Sequence, residues 1–120
     1  MKKSYRVKSE VEFQKVFDHK ESIANKAFII YQLAKADNQH FRVGISAGKK
    51  LGNAVKRNQI KRWIRSCIQS FEANLREDVD FIVIVRPKVN ELTFKEFEQN
   101  LLHVLKLAKL FKDVNNEEKD

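Results

Sequence analysis

Between Asp37 and Glu72 the chain carries no acidic residue. Such a gap has an energetic cost, because a solvated helix gains from opposite charges three or four residues apart and loses from like ones. Other scarcities close off whole classes of chemistry. Cys67 is the only cysteine, so no intramolecular disulfide can form, and one cysteine with three dispersed histidines offers no zinc-ligand spacing. His19, His40 and His103 have no nucleophile pattern near them, which argues against histidine-assisted catalysis. One proline and three glycines imply short loops with legible punctuation. No stretch approaches the roughly 18 apolar residues needed to span a bilayer. Val7 to Phe17 is interrupted by Lys8, Glu10, Glu12 and Lys15 and contains no apolar core of a secretion signal. A cytoplasmic, reduced protein is the expectation.

What the chain does have is a concentrated block of cations. Lys+Arg total 24 against 16 Asp+Glu, and eight of the basic residues fall inside the acid-free stretch: Arg42, Lys49, Lys50, Lys56, Arg57, Lys61, Arg62 and Arg65. Removing them leaves 24 − 8 = 16 basic against 16 acidic residues, so this stretch accounts for the whole net charge of +8. A balanced body with one localised positive block points to a polyanionic partner. The 120 residues suit a single domain with one modest core.

Ser9 followed by Glu12 reads as a capping box opening a short helix, about Val11 to Asp18, with Phe13, Val16 and Phe17 on one face. Ala27 to Leu33 is β-branched and aromatic and predicts a strand buried on both faces. Phe41 to Ser46 alternates with period two and predicts its antiparallel hairpin partner across a polar turn at Lys35 to His40. From Ala54 to about Leu75 apolar residues recur every three or four positions, after a stop and cap at Gly52-Asn53, which defines a long helix. Phe81 to Val85 is an uninterrupted apolar run and predicts a central strand. Thr93 with Glu96 caps a last amphipathic helix whose apolar face runs from Phe94 to Phe111. The fold class is α+β, a sheet layered with helices.

On the long helix, Arg57, Lys61, Arg65, Asn58 and Arg62 fall within an arc of roughly 140° beside the stripe of Ile60, Ile64 and Phe71. Arginine suits paired phosphate oxygens, while lysine acts as a point charge. The helix N-terminus adds free N–H groups beside Lys49 and Lys50, making the loop Ser46 to Asn53 a second candidate phosphate site. Gly44 to Lys50 resembles a P-loop only superficially: it is one spacer short, and Lys50 stands where Ser or Thr would hold magnesium. Cys67 falls on the apolar face and reads as core. Trp63 lies off that stripe, where stacking on a base and packing on a neighbouring element are both open. Asp78 and Asp80 read as a turn before a strand rather than an ion site.

The run Gly44 to Arg65, and within it Arg57-Asn58-x-x-Lys61-Arg62-x-x-Arg65, closely resembles the signature of the bacterial ribonuclease P protein family. The likeness covers most of the chain up to about Lys112. It implies an RNA-binding domain over 1–112 with a polar, frayed tail over 113–120, and a single α/β sandwich in αβββαβα order with a left-handed crossover into the long helix. Default crossovers are right-handed, and the periodicity yields two strands before that helix rather than three. The resemblance further implies the protein subunit of a ribozyme. Its partners would be the catalytic RNA, which with Mg2+ removes the 5′ leader, and precursor tRNA; no organic cofactor, protein-bound metal, membrane or catalytic side chain is implied. Carried over, Lys49, Lys50, Lys56, Arg57, Asn58, Lys61, Arg62 and Arg65 would face RNA, while Phe13, Phe17 and Tyr31 would line the leader groove. Without the resemblance, an aromatic pair at Phe13 and Phe17 is ordinary core packing. A structural RNA binder such as a ribosomal component is the alternative function. A major-groove DNA binder lacks the preceding helix and turn.

Overall fold

The computed structural model describes residues 2–112; the tail expected to fray, 113–120, lies outside the described residues. Helix α1 (Glu10–Asp18) opens on the capping box: Ser9 Oγ accepts from the Glu12 N–H at 3.1 Å while Glu12 Oε1 accepts from the Ser9 N–H at 3.3 Å. Three strands follow, β1 (Ser22–Ala24), β2 (Phe28–Ala34) and β3 (Arg42–Ser46), then the long helix α2 (Ala54–Phe71), strand β4 (Val79–Val85) and helix α3 (Phe94–Leu107). Thr93 and Glu96 form a second capping box at α3. The order is αβββαβα.

The four strands lie in the order β1-β2-β4-β3. The hairpin expected between β2 and β3 does not form. Strand β4 sits between them, antiparallel to β2 (Ile30 opposite Val83) and parallel to β3 (Gly44 opposite Ile82). The reason is burial: β4 is the most continuously apolar strand, and only Ile84 in it is not fully buried, so it gains most from the central place. The polar link from Lys35 to Phe41 therefore crosses the end of β4, a span of about 9.5 Å for two strand spacings. It is tied there by the Lys35 N–H to the Asp78 carbonyl at 2.8 Å and by Asn38 Nδ2 to Asp80 Oδ1 at 2.8 Å.

The hairpin that does form joins β1 to β2, and β1 is the strand that periodicity missed. It has three residues, only Ile23 of which is even half-buried, which is too short to show alternation. Asn25 makes its turn, Oδ1 accepting from the Ala27 and Phe28 N–H groups at 2.9 Å each.

One face of the sheet packs under α2 and α3. Phe28, Ile30, Phe81 and Val83 are fully buried there, Phe28 meeting Phe97 edge-on at 5.1 Å. Gln32, on the same face, is satisfied by donating to the Ala108 carbonyl at 2.8 Å. The other face meets α1, and nine residues of helix cover it only in part. Strand β2 is thus buried on one face and half-covered on the other, where Ile29, Tyr31 and Leu33 lie, instead of buried on both. Helix α2 ends at Phe71, earlier than about Leu75, because a 3-10 turn at Glu72–Asn74 leads Leu75 into an isolated bridge with Phe111.

Asp80, expected in a turn, lies within β4 and is 2 % exposed. Arg42 grips it with Nε to Oδ1 at 3.0 Å and a second hydrogen bond to Oδ2 at 2.6 Å, and reaches Glu12 Oε2 at 2.6 Å. One guanidinium therefore links α1, β3 and β4, and one of the eight excess cations is committed to the fold.

Candidate nucleic-acid interface

The remaining seven cations sit on α2 and the loop before it, and among the described residues none of them is in an ion pair. The loop is fixed by one apolar anchor. Leu51 is buried at the end of a 3-10 turn that holds Lys49 and Lys50 exposed, and Asn90 Nδ2 donates to its carbonyl at 3.1 Å. Gly52 has φ of 134°, a backbone region that side chains strongly disfavour, and this lets the chain turn sharply into the helix. Asn53 then caps α2, its Oδ1 accepting from the Lys56 N–H at 3.0 Å.

Helix α2 buries Ile60, Ile64, Cys67 and Ile68 against the sheet. Arg57, Lys61 and Arg65 rise beside that stripe, half-buried at their stems, and Asn58 and Arg62 lie further out, exposed. The Nε atoms of Arg57 and Arg65 are buried without a hydrogen-bond partner. Burial, and then the charge of Arg6, lowers the Arg65 pKa from its ordinary value. Such cations are short of acceptors, which is the state an incoming phosphate relieves. Lys56 does not join this ridge. At 100° per residue it falls roughly 100° behind Arg57, across the apolar stripe, and its Cγ lies 3.1 Å from where a Cβ on Gly52 would stand.

Trp63, left open by the sequence, packs edge-on against Phe94 and Phe97 of α3 at 5.1 and 5.3 Å. Cys67 is core, and burial pushes its thiol up to about 12, so it is chemically inert.

The three predicted groove aromatics lie together between α1 and the sheet, on the face away from the ridge. Phe17 meets Tyr31 edge-on at 5.0 Å and Phe13 at 6.4 Å. The end of the Phe13 ring abuts Gly44, where a Cβ would stand 2.6 Å from Cζ, so glycine at that position is what lets the ring settle on β3. All three rings are half-buried, neither sealed core nor free surface. The Tyr31 hydroxyl has no hydrogen-bond partner among the described residues. Among those residues no three His, Cys, Asp or Glu side chains gather in a metal-ligand cluster, and no helix is long and apolar enough to cross a membrane.

Arg42, one of the eight cations of the acid-free stretch, is thus not free, and Arg6, outside that stretch, is a third arginine whose Nε is buried without a partner. Nothing local in the sequence marks Arg6, which reaches α2 only through the fold.

The family model described as Ribonuclease P matches residues 1–109. The ribonuclease P protein component of Latilactobacillus sakei is 56% identical over 113 residues, covering 94% of each chain. The RNase P protein of Staphylococcus aureus, solved as a mutant with defective mRNA degradation activity, superposes with a TM-score of 0.86 at 41% identity, covering 91% of this chain and 92% of that one. The RNase P protein of Thermotoga maritima superposes at 0.77 with 28% identity, covering 84% and 94%. A basic helix with no acid in it, set on an αβββαβα sandwich and matched over nearly its full length, places this chain in the ribonuclease P protein family.

Proposed function

We propose that this chain is the protein subunit of a cytoplasmic ribonuclease P, binding the catalytic RNA through the α2 ridge and the 5′ leader of precursor tRNA on the Phe13–Phe17–Tyr31 surface. The observation that carries the reading is the set of unpaired cations on one helix, two of them with buried, unsatisfied Nε atoms, within the acid-free stretch that accounts for the net charge of +8. The two surfaces suit different parts of an RNA. A ridge of guanidinium and ammonium groups matches the phosphates of a folded RNA. Half-exposed aromatics match an unpaired strand, whose bases stack without regard to sequence.

In this proposal hydrolysis of the phosphodiester belongs to the RNA subunit, and Mg2+ comes with that RNA. The carboxylates Glu12, Asp78 and Asp80 are each engaged by an arginine, which leaves them poorly placed as ion ligands. The protein's contribution is to neutralise phosphate repulsion, so the assembled particle should need less Mg2+ than the RNA alone.

The test is reconstitution with the cognate RNA on a precursor tRNA. The expected result is cleavage by RNA plus protein at Mg2+ concentrations where RNA alone is nearly silent, with none by protein alone. Cleavage of the precursor by RNA-free protein would overturn the division of labour. The Staphylococcus aureus mutant, defective in mRNA degradation, favours a second reading, in which the protein also takes part in breaking down mRNA. Incubating the RNA-free protein with an mRNA separates the two.

A further inference from the structure

The cationic ridge has a neighbour that does not come from α2. Arg6 lies in the stretch before α1, where it forms a parallel bridge with Val43, and the next N–H, that of Val7, donates to the Val43 carbonyl at 3.0 Å. The stretch is held on both sides of this bridge: Tyr5 stacks on His40 with centroids 3.4 Å apart, and Val7 is buried. Neighbouring side chains of an extended chain leave on opposite faces. Val7 is buried apart from the cluster beneath α2 and α3, which sends Arg6 toward the α2 side. There it comes near enough to Arg65 for its charge to count, after burial, among the causes lowering that group's proton affinity. Both Nε atoms are buried without a partner, and neither arginine has an acid beside it among the described residues. Two partly desolvated guanidiniums near enough to feel each other's charge repel unless an anion joins them.

We propose that Arg6 and Arg65 together clamp one phosphate of the RNA partner, making the segment before α1 part of the interface. This rests on the reading of α2 as the RNA-binding ridge. A phosphate presents enough oxygens to accept from two guanidinium forks at once, and the Val43 bridge holds Arg6 in place before binding, which reduces the ordering entropy.

The experiment measures affinity of the full chain for the cognate catalytic RNA across salt concentrations, for wild type, Arg6→Gln, Arg65→Gln, the double variant and Arg62→Gln. Arg6→Gln and Arg65→Gln should each flatten the log-affinity against log-salt slope by about one unit or less, and the double variant by no more than a single phosphate accounts for, because the phosphate is shared. A purely packing role for Arg6 would move the melting temperature and leave the slope alone. An unchanged slope for Arg6→Gln, or a double variant that flattens it as far as two separate phosphates would, overturns the clamp. If Arg62→Gln flattens the slope while Arg6→Gln does not, the clamp alone fails; if neither does, the ridge reading fails with it. Should Arg6→Gln not fold, phenylglyoxal modification of the wild-type protein with and without the RNA decides. Protection of Arg6 together with Arg65 supports the clamp, and equal modification of Arg6 overturns it.

Discussion

At the scale of one residue, Arg42 ties α1 to the sheet by charge, through Glu12 and Asp80. Replacing it with methionine leaves a carboxylate that is 2 % exposed without its charge partner. The expected cost is about 3–5 kcal/mol, measured by urea unfolding. Because Arg42 is not on the ridge, the salt slope of RNA binding should stay as in the wild type. Glu12 gives the matching pH signature. The hydrogen bond from Arg42, followed by that from the Lys8 N–H, lowers its carboxyl from the ordinary 4.5 to about 2. A folded-state pKa below the unfolded one means stability that is complete above pH 4.5 and is lost as pH falls toward about 2. The stability gap between wild type and Glu12→Gln should therefore be full at neutral pH and shrink across that acid window. A gap independent of pH across it would mean the ion pair is not what Glu12 contributes.

Helix α2 is two devices on one rod. Its buried stripe and its ridge should respond to mutation in separable ways. Ile64→Ala removes a fully buried side chain beneath the helix and should cost about 2–5 kcal/mol of stability, read from chemical unfolding. Arg62→Ala, on an exposed position, should leave stability within about 0.5 kcal/mol while weakening RNA binding and flattening its salt slope by about one unit or less. This helix was legible in advance because its cap, its apolar period and its charge asymmetry are all local properties of consecutive residues. Both capping boxes were legible for the same reason. Strand β1 was not, since three residues carry no period. Trp63 was open because the residues it packs on, Phe94 and Phe97, are brought to it only by the docking of α3.

For the whole molecule, the sheet separates the two candidate surfaces, the ridge with α2 on one face and the aromatics with α1 on the other. Each should therefore fail independently. With the reconstituted particle, Phe17→Ala together with Tyr31→Ala should weaken binding of a precursor tRNA that carries its leader, and leave mature tRNA and the catalytic RNA bound as before. Gel-shift competition between precursors with and without the leader reads this directly. Indifference of the wild-type particle to the leader would instead favour a general structural RNA binder. The Arg6–Arg65 pairing belongs to this scale as well, because it joins the segment before α1 to a helix that begins only at Ala54.

The amino-acid sequence alone determined that there would be a long amphipathic helix with cations and no acids, a central apolar strand, two capped helices around them, and a partner made of phosphates. Each of these follows from the kinds and spacing of residues close together in the chain. The tertiary structure alone decided that β4 would separate β2 from β3, that Arg42 would be consumed by Asp80 and Glu12, that Lys56 would stand off the ridge, and that Phe13 would rest on Gly44. Those outcomes depend on which distant surfaces compete for burial and for charge partners, and that competition is settled only when the whole chain packs.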